Sequence, residues 1–548
     1  MKKLFLFLPV AIALCASVGA NGQYGLPKVK VPVFRKDSFS IAKYGAKADG
    51  VTINTKSIQN AIDACSAKGG GVVVVPAGLW VTGPLVLKNN TNLHLKRDAI
   101  LLFSEDFDQY PLVKTNWEGL PQMRNQSPIS ATDAVNIAIT GYGIIDGNGD
   151  AWRMVKKDKL TESQWKKLVG SGGILSEDKK TWYPSEKSVK GSKLQNPGAI
   201  SSDKTPEFYN EIKDFLRPNL LVLTSCKSIL IEGVTFQNSP AWCLHPLMSQ
   251  DLTIRNISVK NPWYAQNGDG LDLESCKNVV VENSVFDVGD DGICIKSGRD
   301  AEGRKRGMPT ENVLVRNCTV YHAHGGFVIG SEMSGGAKNL FVENCTFIGT
   351  DIGLRFKTTR GRGGIVENIN IKDIQMKDIV GEAILFDMYY MAKDPILLAG
   401  EKREAPKVEF QPVTEATPQF RNFHISNVVC VGAEKGIFVR GLPEMNVQSI
   451  VMENMVLQAD KGIVCTEGSN LSFKNIKLYT SNTNPVVDLV NSKNIVFDKL
   501  DFNNGAELLF MIGGDRSAAI TIANTNTDKA KKKVEYEFGA TEKSLSIK

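Results

Sequence analysis

The sequence contains no CxxC pair among its ten cysteines, which excludes the commonest zinc-binding and redox motifs in this chain of 548 residues. Nine cysteines remain beyond residue 20, and an odd number does not suit a dense disulfide framework. Most lie in strand-like segments, so we expect small apolar side chains of a core. They are Cys65, Cys226, Cys243, Cys276, Cys294, Cys318, Cys345, Cys430 and Cys465.

Long apolar runs are also scarce, and no stretch beyond residue 20 could span a membrane. At the N-terminus, Lys2 and Lys3 precede the apolar residues 4–14, and small residues follow at 18–20. This order predicts a signal peptide over residues 1–20 and a secreted or periplasmic protein. A membrane anchor would need about 20 apolar residues, and Leu14 is bulky for lipidation at Cys15.

The chain lacks a strong charge of either sign. Its formal charge of +6 falls to about +4 without Lys2 and Lys3, which permits an anionic substrate without requiring one. We predict no nucleic-acid partner, no cofactor, no metal site and a monomeric protein.

One amphipathic helix is predicted before a long series of strands. Thr55 can cap it, Ile58, Ala61, Ile62 and Cys65 follow helical spacing, and three glycines at 69–71 end it. A helix laid across the end of a solenoid would cover unpaired strand edges, so we expect a capping helix.

A short strand-like phrase recurs from Ile229 onward with a small polar residue at its centre. The steps between these centres are 23, 27, 34, 27, 29, 54, 27 and 21 residues, and we interpret the 54 as two coils of 27. Units of this length with two short β-branched runs predict an all-β parallel β-helix. The central residue suits either a tight left-handed bend or an internal polar ladder. The centres are Gly233, Asn256, Asn283, Asn317, Asn344, Asp373, Asn427, Asn454 and Asn475.

Two stretches interrupt the repeats, at about residues 152–217 and 387–420, within what we predict to be a single catalytic domain over residues 21–548. The first holds twelve lysines and the residues Trp152, Trp165 and Trp182. It is either a solvated loop or a loop that shapes the substrate site.

Three carboxylates are concentrated in two glycine-rich turns, as Asn267-Gly268-Asp269-Gly270 and Gly289-Asp290-Asp291-Gly292. Asp269 and Asp290 are 21 residues apart, so we expect them on neighbouring coils about 4.8 Å apart. Crowded carboxylates cannot all ionise easily, so one should keep its proton near neutral pH and act as an acid. Such a cluster can supply both groups that glycoside hydrolysis needs, an acid and a carboxylate that activates water or attacks carbon.

A histidine and two cations follow on later coils. His324 precedes Gly325 and Gly326, which allow close approach of backbone or substrate. Arg355 and Lys357 are two residues apart and should point the same way from a strand, where they would bind the carboxylate of a uronic acid.

The order NGDGLDLESC, VGDDGICIKSG, HAHGGF and LRFKT resembles the polygalacturonases of glycoside hydrolase family 28. The resemblance covers the chain from about Ile41 to Lys474 and implies a right-handed parallel β-helix that hydrolyses α-1,4-galacturonosyl bonds in pectin. Gly268 stands where the family usually has Thr, and Phe356 where it usually has Ile.

The resemblance also implies roles for the site residues. Asp290 would be the acid, Asp269 and Asp291 would hold the attacking water, and His324 would tune or orient the acid. Asn267, Arg355 and Lys357 would bind substrate. Inversion follows from these roles, with acid and base roughly 6.5 to 9.5 Å apart.

The insertion at 152–217 favours attack from a chain end, because a long loop could close one end of the cleft. Its indoles would stack on sugars, its lysines would meet uronates, and Tyr389 and Tyr390 would wall the same site. The alternatives are a rhamnogalacturonan or xylogalacturonan hydrolase, a calcium-dependent β-helix lyase, and a non-catalytic carbohydrate-binding solenoid.

Overall fold

The computed structural model describes residues 25–391, 404–405 and 407–548. The predicted signal peptide and part of the second insertion lie outside the described residues. Within them the chain forms a right-handed parallel β-helix, in which each coil adds its strands to growing parallel sheets. Parallel connections of this kind are right-handed because of the twist of the strands. The predicted fold class is therefore confirmed.

Fourteen strands of the described chain, stacked in sequence order, form the sheet that carries the candidate site, here called the site sheet. They are Leu85–Val86, Ile129–Thr132, Leu221–Thr224, Leu244–Leu247, Leu271–Glu274, Asp291–Lys296, Gly325–Ile329, Leu354–Lys357, Glu382–Asp387, Lys435–Arg440, Lys461–Thr466, Val487–Val490, Ala506–Gly513 and Ala530–Glu537.

The other parallel strands form the remaining walls of the coils. They are Ser38–Ser40, Asp49–Ile53, Gly71–Val75, Gly78–Thr82, Thr91–Leu95, Ala99–Phe103, Val135–Gly141, Ile144–Asp146, Lys227–Glu232, Thr235–Gln237, Gln250–Arg255, Ser258–Lys260, Lys277–Glu282, Val285–Asp287, Thr310–Arg316, Thr319–Tyr321, Ala337–Ile348, Ile365–Lys377, Gln419–Val431, Val447–Ala459, Gly468–Thr480, Lys493–Phe502, Ala518–Ala523 and Leu545–Ile547.

Outside these sheets lie a hairpin and a small antiparallel sheet. The hairpin pairs Leu112–Trp117 with Leu120–Asn125, and the small sheet joins Val155–Lys156, Ile174–Leu175 and Thr181–Tyr183. The α-helices are Thr55–Ala67, Glu162–Gly170, Glu186–Ser192, Pro206–Asn210 and Asp300–Arg306. The short 3-10 helices are Ile41–Tyr44, Phe107–Gln109, Gly149–Ala151, Lys157–Lys159, Lys213–Phe215, Thr527–Lys529 and Glu542–Ser544.

The helix Thr55–Ala67 covers the N-terminal end of the solenoid, as predicted, and buries Ile58, Ala61, Ile62 and Cys65. Gln59 exchanges two hydrogen bonds of 2.9 Å with the backbone of Val86, so the helix satisfies the edge of the site sheet. Asn54, rather than Thr55, is the N-cap residue; the Thr55 hydroxyl accepts a hydrogen bond from the backbone of Gly83.

From Asn283 onward, the polar residue at the centre of each repeat is both a left-handed bend and a partner in a side-chain hydrogen bond between coils. Asn317 and Asn344 have φ of 53°, in the left-handed region that Asn tolerates. The Asn344 amide donates to Asn317 at 2.7 Å, and Asn317 donates to Asn283 at 3.0 Å. The ladder runs along the exposed side, so of the two alternatives the left-handed bend is confirmed and the ladder is external.

The 54-residue step is one coil and not two. Ile365–Lys377 pairs directly with Gln419–Val431, with Ile369 opposite Phe423. On the site sheet, Ile384 likewise lies opposite Ile437. The extra residues of this coil belong to the second insertion, so the interpretation as two coils of 27 was wrong.

The interior is a continuous apolar core, because alternate residues of every coil point inward. Phe356, Phe386 and Phe423 pack with ring centroids 4.5 to 5.0 Å apart. All nine cysteines of the described chain are buried and free, which confirms the expectation of small core side chains.

Candidate active site

The three carboxylates meet at the start of two neighbouring strands of the site sheet. Leu271 pairs with Ile293, and the Gly270 backbone donates to the Asp291 carbonyl at 2.9 Å. The offset between these coils is therefore 22 residues, which places Asp269 level with Asp291 and leaves Asp269 and Asp290 on neighbouring coils, as expected. One carboxylate oxygen from each of Asp269, Asp290 and Asp291 lies within 4.8 Å of the others.

Inverting glycosidases usually keep acid and base roughly 6.5 to 9.5 Å apart. The 4.8 Å that encloses one oxygen each of Asp269, Asp290 and Asp291 agrees with the distance expected between neighbouring coils. Because it joins single oxygens and not whole carboxyl groups, this distance does not discriminate between inversion and retention.

Asp291 is buried and held ionised by two cations. Its Oδ2 accepts from Lys357 Nζ at 2.7 Å and its Oδ1 from Arg355 at 3.2 Å. Burial on its own would raise the pKa of Asp291, but the charges of Lys357 and Arg355 outweigh it and hold the pKa well below the ordinary value. Arg355 and Lys357 share one face of their strand, and in this structure both contact Asp291.

Asp269 has the opposite character. Its side chain is 3% exposed and its Oδ1 has no hydrogen-bond partner among the described residues. Burial raises its pKa well above the ordinary value, and the neighbouring Asp290 and Asp272 charges raise it further. Asp269 is thus a carboxyl of the cluster whose burial favours the protonated form, and the assignment of the acid to Asp290 rests on resemblance and on its greater exposure.

A second group of charges beneath the cluster was missed by the sequence analysis. Lys296 is buried, donates to Glu332 at 3.0 Å and lies 3.6 Å from Asp272. Its ammonium also lies 4.7 Å from the centre of the Trp242 ring. The signal was present, because the alternation in LDLE and ICIK places Asp272 and Lys296 on the outer face.

These charges have unequal proton affinities. Both oxygens of Asp272 lack a hydrogen-bond partner within the described chain, and burial raises its pKa well above the ordinary value. Burial would also raise the pKa of Glu332, but Lys296, Lys357 and Arg362 lower it to about 2. Lys296 therefore has one firmly ionised partner, Glu332, and one that resists ionisation.

His324 lies one coil beyond Asp290. Asp291 pairs with Gly325, and the His324 backbone donates to the Asp290 carbonyl at 2.9 Å. Its half-exposed ring has Nδ1 3.7 Å from Asp351. The structure thus links His324 to Asp290 through the backbone, while its side chain faces Asp351.

Two connected cavities open at this place. The carboxylate cavity, about 270 Å³, is lined by Asp269, Asp290, Asp291, Lys357 and residues around them. The insertion cavity, about 230 Å³, lies between the hairpin 112–125 and the insertion 152–217. Both are lined by Glu118, Asn267 and Arg299, so they adjoin. Tyr390 lines the carboxylate cavity, as expected for a wall.

The insertion is folded rather than a bare loop, and two of its tryptophans lie in a core of their own, while Trp152 lines the insertion cavity. Trp165 and Trp182 pack with Val155 into a small core of their own. Trp152 is 1% exposed and packs edge-on against Phe107 and Tyr110. The lysines of the insertion do not line the insertion cavity. The cationic side chains that line this cavity are Arg124, Arg217 and Arg299.

Asn267 joins the two cavities. It has φ of 53°, and its side-chain oxygen accepts from Arg217 at 3.1 Å. At the next position, a Cβ on Gly268 would lie 2.8 Å from Ala265, so a threonine would require this turn to shift. This contact explains the departure from the usual family pattern.

The chain is similar to known glycoside hydrolases in both sequence and structure. The model described as "Glycosyl hydrolases family 28" matches residues 187–431, and "Rhamnogalacturonase A/epimerase, pectate lyase-like" matches residues 38–193. The crystal structure of a hyperthermoactive exopolygalacturonase from Thermotoga maritima is 30% identical, with a TM-score of 0.64, over 82% of this chain and 93% of that one. The chain belongs to glycoside hydrolase family 28.

Two curated relatives of this family member extend the comparison. A probable polygalacturonase from Vitis vinifera is 32% identical over 63% of this chain and 61% of its own length. An exo-poly-alpha-D-galacturonosidase from Dickeya chrysanthemi is 29% identical over 80% of this chain and 70% of its own length. The chain thus spans somewhat less than two thirds of the grapevine relative.

Proposed function

We propose that this glycoside hydrolase cleaves α-1,4-galacturonosyl bonds of homogalacturonan. The observation that carries the proposal is the cluster of Asp269, Asp290 and Asp291 within 4.8 Å, with Lys357 and Arg355 beside it. A cation pair next to an acid cluster suits a sugar that itself bears a carboxylate. Release of reducing ends from polygalacturonate tests it, and no release would reject it.

In the proposed reaction Asp290, the most exposed of the three acids, protonates the leaving oxygen. Asp291, held ionised by Lys357 and Arg355, orients an attacking water together with Asp269. His324 fixes the position of Asp290 through its backbone hydrogen bond. Asn267 and the two cations bind the substrate.

We propose an inverting course, because Asp291 is occupied by two cations and is a poor nucleophile for a covalent intermediate. Because the carboxylate distance does not discriminate between inversion and retention, the anomeric configuration is an informative measurement. Proton NMR of the first product formed from trigalacturonate should show the β-anomer. An α-anomer would overturn inversion.

We further propose attack from a chain end. The insertion builds a cavity that adjoins the carboxylate cavity, and relatives from Thermotoga and Dickeya are described as exo-acting enzymes. Early products from polygalacturonate should then be mono- or digalacturonate, with viscosity falling slowly. A collapse of viscosity after cleavage of a small fraction of bonds would show internal attack.

The remaining proposals concern the whole chain. We propose that residues 1–20 direct export to the periplasm or the medium, and that residues 21–548 act as one monomeric catalytic domain. No helix among the described residues has the length and apolar character that crossing a bilayer requires. Fractionation of the host cells tests the location, and light scattering tests the monomer.

The partial match to a rhamnogalacturonase model supports one second candidate, a rhamnogalacturonan hydrolase. The Arg355 and Lys357 pair favours consecutive uronic acids instead. Parallel assays on polygalacturonate and rhamnogalacturonan separate the two.

A further inference from the structure

The insertion cavity has a surplus of buried positive charge. Arg124 is 4% exposed, yet no acidic side chain of the described residues lies within 4 Å of it or of Arg217. The nearest acid on this wall, Glu118, lies 3.5 Å from Arg299. Buried cations are normally paired, because desolvation of a charge is costly.

The two arginines are fixed in place by neutral groups. Arg124 Nε donates to the Arg217 carbonyl at 3.0 Å, and its guanidinium lies 3.5 Å from the centre of the Trp117 ring. Arg217 donates to the carbonyls of Pro240 and Gln266 and to the Asn267 side chain. These contacts hold the guanidinium groups without neutralising them.

The hydrogen bonds of Arg124 leave part of its donor capacity unused. Only its Nε has a partner among the described residues, so both terminal nitrogens remain available at the wall of the cavity. A guanidinium with two free terminal nitrogens suits two-pronged binding of a carboxylate. The neighbouring Trp117 keeps the guanidinium plane in one orientation.

The size and place of the cavity point to a sugar residue. Its volume of about 230 Å³ exceeds that of one ordered water several times over, since a water occupies about 30 Å³ of liquid. It adjoins the carboxylate cavity through Asn267, which Arg217 contacts directly. A polymer seated at the three acids can therefore extend into it.

We propose that the insertion cavity is a subsite that binds the carboxylate of a hexuronate residue through Arg124, with Arg217 adding positive charge. This residue is the neighbour, along the polymer, of the sugar at Asp269, Asp290 and Asp291. The subsite rests on the proposed function for the identity of the polymer. It gives a function to Arg124 and Arg217, which have no acidic side chain within 4 Å among the described residues.

Isothermal titration of trigalacturonate tests the subsite. Asp290→Asn serves as the starting protein because it prevents turnover. Adding Arg124→Gln should raise the dissociation constant about ten- to a hundredfold, as expected for a hydrogen bond to a charged group. Arg124→Lys keeps the positive charge but lacks the planar guanidinium. Its dissociation constant for trigalacturonate should lie between those of the starting protein and of the Arg124→Gln variant.

The matched control is Arg97→Gln. Arg97 also lies over an aromatic ring, that of Tyr142, but it is exposed and lines neither cavity. The dissociation constant of trigalacturonate for the Arg97→Gln variant should change by less than about twofold, as is usual for a surface substitution. An equal loss with both variants would overturn the proposal.

A second measurement leaves the protein unchanged, in case Arg124→Gln does not fold. Trigalacturonate whose non-reducing or reducing terminal carboxylate has been reduced to a primary alcohol should bind the Asp290→Asn protein about tenfold or more weakly, for one of the two termini. Unaltered affinity for both reduced forms would overturn the subsite.

The outcomes separate the subsite from the proposed function. Binding that is unaffected by Arg124→Gln in a folded protein overturns the subsite alone. Binding without hydrolysis by the wild-type enzyme overturns the proposed function alone. Absence of any binding of trigalacturonate overturns both.

Discussion

The two adjoining cavities are built in different ways. The carboxylate cavity lies on strands that pair with neighbours on both sides, so Asp291 and Lys357 are positioned by the register of the site sheet. The insertion's strands pair only with one another in the described chain, apart from a single bridge between Gln122 and Ala199. The solenoid thus positions the carboxylates, whereas the insertion, a separately paired unit, shapes the cleft next to them.

This difference predicts that chemistry and mode of attack can be damaged separately. A change in the acids should remove turnover without affecting the fold. A change in the insertion's own core should alter the cleft without unfolding the solenoid.

The largest effect is expected from Asp290→Asn. Loss of a positioned general acid should lower kcat by about 10² to 10⁴. The unfolding temperature should stay close to the wild-type value, because Asp290 is not part of the core. Steady-state rates on trigalacturonate, with circular dichroism as the folding control, make the measurement. Wild-type turnover in the folded variant would contradict the proposed acid.

Trp165→Ala should act on the insertion alone. Trp165 packs with Val155 and Trp182, and deletion of such a side chain typically costs about 3 to 5 kcal/mol. The insertion should become sensitive to limited proteolysis while the solenoid keeps its unfolding temperature. Early products from polygalacturonate should shift towards longer oligomers.

The matched control for Trp165→Ala is Phe327→Ala, in the core of the site sheet. It should lower the unfolding temperature of the whole protein without changing the ratio of early products. If the Trp165 variant instead unfolds the whole protein and keeps the wild-type products, the insertion is not a separate unit.

The solenoid could be predicted from sequence because its signals repeat. Each polar centre from Asn256 to Asn475 recurs at the step that the strands later show, and each sits in a left-handed bend. The 54-residue step was misread because spacing alone cannot distinguish two coils from one coil with an insertion. Direct pairing of Ile369 with Phe423 resolves it.

The insertion could not be predicted in the same way, because it has no period. Its tryptophans were taken as a sugar platform, yet Trp165 and Trp182 form a core. The cations that face the cavity come from separate places, with Arg124 in the hairpin and Arg299 beside a site-sheet strand. Contacts of the hairpin bring them together, because the Arg299 backbone donates to the Gly119 carbonyl at 3.3 Å and Arg124 donates to the Arg217 carbonyl.

Lys357→Ala should have an intermediate effect. Removal of an ammonium that contacts a substrate carboxylate should raise KM by about tenfold on polygalacturonate. Because Lys357 also lowers the pKa of Asp291, its loss should raise that pKa, so the acid limb of the kcat profile should move to higher pH. Methyl-esterified substrate should show a smaller increase in KM.

The control for Lys357→Ala is Lys377→Ala, an exposed lysine that pairs with Asp378. Neither KM nor the pH profile should change. An equal rise in KM on free and esterified substrates would show that Lys357 positions Asp291 without binding the uronate.

The smallest effect is expected from Asp272→Asn, and it concerns stability. Burial raises the pKa of Asp272 in the folded protein, so the protonated carboxyl stabilises the fold. This contribution to stability is complete below the ordinary pKa of aspartate. It is lost as the pH rises from there through the raised pKa. At pH 7 the variant should therefore be more stable than the wild type, by about 1 kcal/mol, since ionising a buried carboxyl that has no hydrogen bonds within the described chain is unfavourable and the amide carries no charge. Near pH 3 the gain should disappear. Lys296 keeps its partner Glu332 in the variant, so no buried cation is left alone.

Urea unfolding at pH 3 and pH 7 measures the difference in stability. The control is Asp158→Asn, at an exposed aspartate of the insertion, which should not change stability at either pH. A loss of stability at pH 7 would show that Lys296 needs the Asp272 charge, and that the site sheet tolerates its crowded carboxylates by ion pairing alone.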